Sequence, residues 1–238
     1  MGLFNLPGPL YDLVDRAVFA AAPAPWRLVF WAVVAAVSSL LIYKWLSPQA
    51  KIAATKERVA ELRRRMLDHD GEDLASAMPL IRAQLAIAFR HLGLVLPATL
   101  IASLPALTLM IWLDTSYARF LPDSAPFIEV VPAGFEGTWR TEADVPRITV
   151  RERTGQAVAD IPVQKPIPQI EKRHWWNVLL GNPAGYLPDH GPVERVTVHL
   201  PEQAYLPFGP GWARSWMALF IPVFFVTSLF FYRIARIQ

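Results

Sequence analysis

Apolar and polar positions separate along this chain into three long apolar blocks and the polar stretches between them. The blocks are WRLVFWAVVAAVSSLLIYKWL (Trp26–Leu46), HLGLVLPATLIASLPALTLMIWL (His91–Leu113) and WARSWMALFIPVFFVTSLFFYRI (Trp212–Ile234). A hydrocarbon core of ~30 Å needs roughly 20 apolar residues at ~1.5 Å each, and no charge interrupts the centre of any block. Trp and Tyr gather near the block ends, where amphipathic rings favour the membrane interface. The pattern predicts three transmembrane helices at residues 26–46, 91–113 and 212–234.

The stretch between the first two blocks, residues 47–90, has a different period. Ile52, Thr55, Val59, Leu62 and Met66 step by three and four, and Leu74, Met78, Ile81, Leu85, Ala88 and Leu92 repeat those steps after DHDGED. Two such stripes joined by a short turn bury themselves by folding on each other, which predicts an antiparallel coiled-coil hairpin. Gly71 suits the reversal, and Pro79 belongs in a first turn or at a kink. No polar break follows the second arm, so one long helix is expected to run on into the second span. Ahead of the first block, Leu10, Leu13, Val14, Ala17 and Val18 share one face, so residues 1–25 read as an amphipathic interfacial segment. The order of AAAPAP and the apolar run is wrong for a secretory signal.

Residues 114–211 change character again, with frequent proline and short β-type runs. These are FIEVV from Phe127, RITVRE from Arg147, QAVADIPV from Gln156 and VERVTVHL from Val193. Short strands bounded by Pro and Gly predict a small β-sandwich-like domain. RHWWNVLLGNPAGYL, from Arg173, reads as a short amphipathic helix ending near Gly181. Trp175 and Trp176 on it serve either a partner or lipid contact, or the domain core.

Composition and charge orient this plan. The chain of 238 residues is 53% hydrophobic, with a mean hydropathy of +0.28. Bases exceed acids between the first two blocks, Arg233 and Arg236 lie at and just past the end of the third, and the long connection is slightly acidic. Short basic loops stay cytoplasmic. The expected topology has the N-terminus outside, the hairpin cytoplasmic, the β domain extracytoplasmic, and a cytoplasmic tail at residues 235–238, in a bacterial inner membrane. Arg63, Arg64 and Arg65 form a basic cluster suited to anionic lipid, with ribosome or RNA contact the weaker expectation; no DNA partner is expected.

Chemistry-bearing motifs are absent from the sequence. There is no cysteine, and His174, His190 and His199 lack ligand spacing. No HExxH, GxSxG, Walker or GxGxxG pattern occurs. DHDGED lacks the sixth-position Gly and twelfth-position Glu of an EF-hand. No catalytic residue, cofactor or metal is expected, and the chain is read as a non-enzyme.

The stretch KWLSPQAKIAATKERVAELRRRMLDHDGEDLASAMPLIRAQLAIAFRHLGLVLPATLIASLPALTLMIWLDTSY, Lys44–Tyr117, resembles the Oxa/Alb/YidC superfamily in its order of parts. The three-span branch is closest in pattern, namely subunit three of the ER membrane protein complex and its bacterial relatives. The resemblance covers about a third of the chain. It implies insertase-like or chaperone-like help to membrane protein insertion and assembly, through a polar groove between spans, with membrane lipids and other membrane proteins as partners. Groove candidates are Ser38 and Ser39 in the first span, Thr99, Ser103 and Thr108 in the second, and Thr227 and Ser228 in the third. The basic residue that marks the groove in the YidC branch has only these two serines in its place. The alternative is an accessory or scaffold subunit of a larger membrane complex, without translocation activity.

Overall fold

The computed structural model of the protein describes residues 2–19, 21–67, 74–141, 145–180, 185–235 and 237. In chain order it contains α1 (Gly8–Phe19), α2 (Ala24–Leu46), α3 (Gln49–Leu67), α4 (Leu74–Tyr117), β1 (Ile128–Val131), β2 (Phe135–Arg140), β3 (Arg147–Glu152), β4 (Ala157–Pro162), β5 (Gln169–Glu171), β6 (Arg195–Val198), α5 (Gly211–Arg214) and α6 (Trp216–Ile234). Three helices are long and apolar enough to cross a membrane: Ala24–Leu46, Met78–Tyr117 and Trp216–Ile234. The chain divides into two compact units, residues 1–32 with 107–223, and residues 33–106 with 224–238.

In the first unit, alternating Val and Ile build two small antiparallel sheets, β1-β6-β5 and β2-β3-β4. Their inward side chains share one core, with Ile148 and Val150 from β3, Ile170 from β5, and Val196 and Val198 from β6. Each such side chain contributes ~1.5–3 kcal/mol on burial. The sheets meet closely where β2 crosses β1. A Cβ on Gly137 would lie 2.4 Å from Ile128 Cγ2, so only glycine fits there. Gly155 closes the β3–β4 turn at φ +90, with its N–H donating to the Glu152 carbonyl at 2.8 Å. That backbone region is open to glycine at no steric cost. At the sheet surface Arg147 pairs with Asp160, and this hydrogen bond holds the Asp160 carboxyl below its usual range.

The β-sandwich-like expectation agrees with these two sheets. Two strands, β2 and β5, have no counterpart among the four sequence-predicted runs. FEGTWR carries a glycine and charges, and QIE is only three residues long, so neither shows a strong alternating signal. The helix predicted from Arg173 to near Gly181 is instead a three-residue 3₁₀ turn, Trp175–Asn177. Asn177 closes it locally, with its side-chain oxygen accepting from the His174 N–H at 2.7 Å and its Nδ2 donating to the Lys172 carbonyl at 2.9 Å. The first of these bonds is the return arm of a capping box on the turn. Residues 181–184, on which the predicted helix end falls, lie outside the described residues.

In the second unit, α2 stops at Ser47-Pro48 because the residue before proline avoids the helical region, and α3 restarts with Lys51 and Ile52 N–H groups on the Pro48 carbonyl. Lys44 Nζ donates to the Ala235 carbonyl at 2.9 Å. That places a cation at the end of α6, where helix carbonyls lack partners. The second arm and second span do form one helix, α4, 44 residues long with Pro79, Pro97 and Pro105 inside it.

Residues of α3 (Ala54, Glu57, Arg58, Glu61, Leu62, Arg65) and of α4 (Ala83, Ile87) line one depression of about 450 Å³, so the two helices run beside each other there. Ile52 and Thr55 are buried as the α3 stripe requires, but Met66 at its end is exposed, and Leu85 and Leu92 of the predicted second stripe are 52% and 51% exposed. The shielded face of α4 keeps Ile81 of that stripe and then passes through Gln84, Ile87, His91, Leu94, Ala98 and Ala102. A straight helix of 3.6 residues per turn drifts from a 3.5-residue seam. One continuous stripe on α4 must also serve its apolar half. The turn residues Asp68, Asp70, Gly71, Glu72 and Asp73 lie outside the described residues.

Candidate functional site: a buried carboxylate and a displayed indole

The sequence places Asp12 and Asp15 one turn apart on α1, on the side opposite Leu10 and Leu13. In a water-facing surface helix the leucines would be covered and the acids exposed. Here the polarity is reversed: Asp15 is 7% exposed while Leu10 and Leu13 are 60% and 65% exposed. Asp15 Oδ2 accepts from Arg27 Nη1 at 2.9 Å, and Oδ1 accepts from Trp31 Nε1 at 3.0 Å and Tyr117 Oη at 2.8 Å. One carboxylate thus ties α1 to the start of α2 and the end of α4.

Asp12 makes a second tie. It accepts from Trp112 Nε1 at 2.8 Å and pairs with Lys165 Nζ at 2.8 Å, linking α1 to α4 and to the loop after β4. Tyr11 Oη and Thr108 Oγ1 add a hydrogen bond of 2.9 Å. Rings close around these polar atoms: Trp31 and Trp112 meet edge to face at 5.2 Å, and Tyr11 lies 5.5 Å from Trp31 and 5.7 Å from Trp112. Excluding water strengthens each bond to the carboxylates. Arg27 also donates to the carbonyls of Ala22 at 3.1 Å and of Phe19, satisfying orphan acceptors where α1 ends.

The exit of α4 is stitched to the segment that follows β6. Phe120 N–H donates to the Pro201 carbonyl and Gln203 N–H to the Ala118 carbonyl. Tyr205 Oη donates to the Tyr117 carbonyl at 2.7 Å, and burial pushes the Tyr205 phenol above its usual range. The carboxylates of this cluster are occupied, and the arrangement ties α1 to α2, to α4 and to the loop after β4. No family model, curated protein or solved structure matches the chain.

The sequence-predicted groove residues fall in both units. In the second unit Ser38 Oγ donates to the Val34 carbonyl at 2.7 Å, Thr99 Oγ1 to the Val95 carbonyl at 3.0 Å, and Ser103 Oγ to the Leu100 carbonyl at 2.8 Å. Ser39 Oγ is buried without a hydrogen-bond partner, and Thr227 and Ser228 are half-buried on α6. Thr108 lies in the first unit and meets Tyr11. Three of the seven hydroxyls thus bond within their own helix. Of the basic cluster, Arg63 and Arg64 are exposed, and Arg65 pairs with Glu61 one turn back.

Trp175 and Trp176 are outside the domain core, at 88% and 52% exposed. Their turn is nevertheless held firmly. Asn177 is buried and bonded as above, Tyr186 Oη donates to its carbonyl at 2.8 Å, and Lys172 Nζ donates to the Gly191 carbonyl at 2.6 Å. His174 stacks on Trp176 with ring centroids 5.3 Å apart. Leu3 and Phe4 N–H groups donate to the carbonyls of Val178 and Leu179, so the N-terminal segment braces the same turn.

Arg27, Asp12, Asp15 and Lys165 are the residues that sequence reasoning missed. Their signal was available: two acids four or fewer residues apart on an otherwise apolar helix, and a lone arginine at the start of an apolar block. Charges in such places need partners.

Proposed function

We propose that the chain is a membrane-anchored accessory or scaffold subunit that helps other membrane proteins assemble, with its β domain as the docking element. The observation that carries this reading is Trp175, an indole 88% exposed on a turn fixed by Asn177 and Tyr186. Ordering a loop in advance removes part of the entropy cost of association, and large aromatics commonly dominate interface energy. The insertase-like reading needs hydroxyls free to line a groove. Ser38, Thr99 and Ser103 bonding within their own helices favours the scaffold instead.

Membrane placement is part of the proposal. Only 6% of the α6 window is buried within the chain, against 17% for α4 and 28% for α2. An apolar surface of that extent needs an apolar surround, and lipid supplies one. The basic excess on α3 favours a cytoplasmic α3 and an extracytoplasmic β domain.

A photo-crosslinking amino acid at position 175, in intact membranes, tests the reading. A discrete protein adduct, together with unchanged insertion of a reporter protein in a strain lacking the chain, is the expected result. Lipid labelling alone, or failed reporter insertion, would refute the scaffold. Single cysteines at Lys56 and Thr154, both exposed, should label from opposite sides of the membrane.

A further inference from the structure

The first unit holds a cavity of about 540 Å³ that none of the roles above uses. One side is apolar: Leu107, Met110 and Ile111 of α4, Trp216 and Met217 of α6, and Leu180. The other side is polar and acidic, with Asn5, Asp114, Glu171, Asn177 and Tyr186. No lysine or arginine is among the described residues that line it. Asn5 is 6% exposed, and its side-chain oxygen has no hydrogen-bond partner. A buried amide in that state calls for a donor, and rotation about its last torsion turns it toward one seated in the cavity.

We propose that this cavity is a lipid site, which seats an acyl chain of a phospholipid whose ammonium headgroup faces Asp114 and Glu171. The volume falls within the range of about 300–1,000 Å³ typical of small-molecule sites. Leu107, Met110, Ile111 and Met217 belong to helices long and apolar enough to cross a membrane, so a chain slides between them from the hydrocarbon without crossing water. The acidic end selects the head. Glu171 is already paired with Arg195 at 2.7 Å, which leaves Asp114 as the principal carboxylate for a cation. An anionic head would face Asp114 with no lining base to offset it, and like charges disfavour it. The ammonium or hydroxyl hydrogens of the head also supply the donor that Asn5 lacks. This inference rests on the membrane placement proposed above and not on the partner reading, so a missing adduct at position 175 leaves it untouched.

The test uses the full chain purified in a mild detergent and mixed with equal amounts of phosphatidylethanolamine and phosphatidylglycerol carrying identical chains. Native mass spectrometry then reads the retained lipid. The expected result is a single phospholipid per chain, with ethanolamine favoured about fivefold. Met110→Trp and Met217→Trp, which fill the apolar end, should each bring retention to background. Asp114→Asn should keep the lipid and lose the headgroup preference, and Phe225→Trp, outside the cavity, should change neither. Melting is followed in parallel, and if one filling variant unfolds the other decides. No retained lipid (water alone satisfying Asn5), retention unaffected by filling, or a preference for the anionic head that survives Asp114→Asn would each overturn the proposal.

Discussion

Removing the Asp15 carboxylate is the sharpest perturbation of this fold. Asp15→Ala deletes three accepted bonds, from Arg27, Trp31 and Tyr117, and leaves the Arg27 guanidinium, 22% exposed, without its ion partner. Breaking a buried pair from one side costs about 3–5 kcal/mol, because the surviving charge stays desolvated. At roughly 2–4 °C per kcal/mol for a domain of this size, melting in detergent should fall by ~6–20 °C, read at one fixed scan rate. Tryptophan emission should change along with it, since Trp31 loses its acceptor. The double variant Asp15→Ala/Arg27→Met is the discriminating measurement. It removes the orphaned cation, so its loss should be clearly smaller than the sum of the two single losses. Additive losses, or an Asp15→Ala protein that melts with the wild type, would refute the view that α1 is held by a coupled buried pair.

Three further perturbations probe separate parts. Gly137→Ala forces a Cβ to 2.4 Å from Ile128 Cγ2 and should destabilise the β domain by ~1–3 kcal/mol, with Ile128→Ala in the same chain restoring part of it in thermal unfolding. Tyr205→Phe loses the bond to the Tyr117 carbonyl, about 0.5–1.5 kcal/mol near neutral pH. Burial raises the Tyr205 phenol, so its contribution is complete below the unfolded value of about 10 and is lost as pH climbs from there through the folded value. Above about pH 10 the wild type should therefore lose stability faster than Tyr205→Phe, an ordering that base titration of unfolding checks. Ile52→Asp, at a fully buried position, should make α3 protease-sensitive at a cost of several kcal/mol. Leu85→Asp, half-exposed, should leave digestion nearly unchanged; equal sensitivity would restore the predicted seam.

Length and hydropathy alone determined the three apolar helices, because a run of that length without central charge has few other uses. Alternation over RITVRE and VERVTVHL likewise determined β3 and β6, since a two-residue period puts one face of a strand in a core. The continuity of α4 followed from the lack of any polar break after the second arm. Sequence periodicity did not determine which stripe of α4 is covered. Leu85 and Ile87 are both apolar, and only packing against neighbouring side chains distinguishes them. The partners of the acids on α1 were also beyond periodicity, which finds the apolar face of an interfacial helix but not what its polar face meets. Tertiary structure decided it by bringing Arg27, Trp31, Trp112, Tyr117 and Lys165, some of them about a hundred residues or more away, onto Asp12 and Asp15. Trp175 likewise carries the same composition signal inside a core or on a surface. The local bonds of Asn177 hold its turn as a 3₁₀ element and leave the indole outside, because the side chain that the turn buries is that of Asn177.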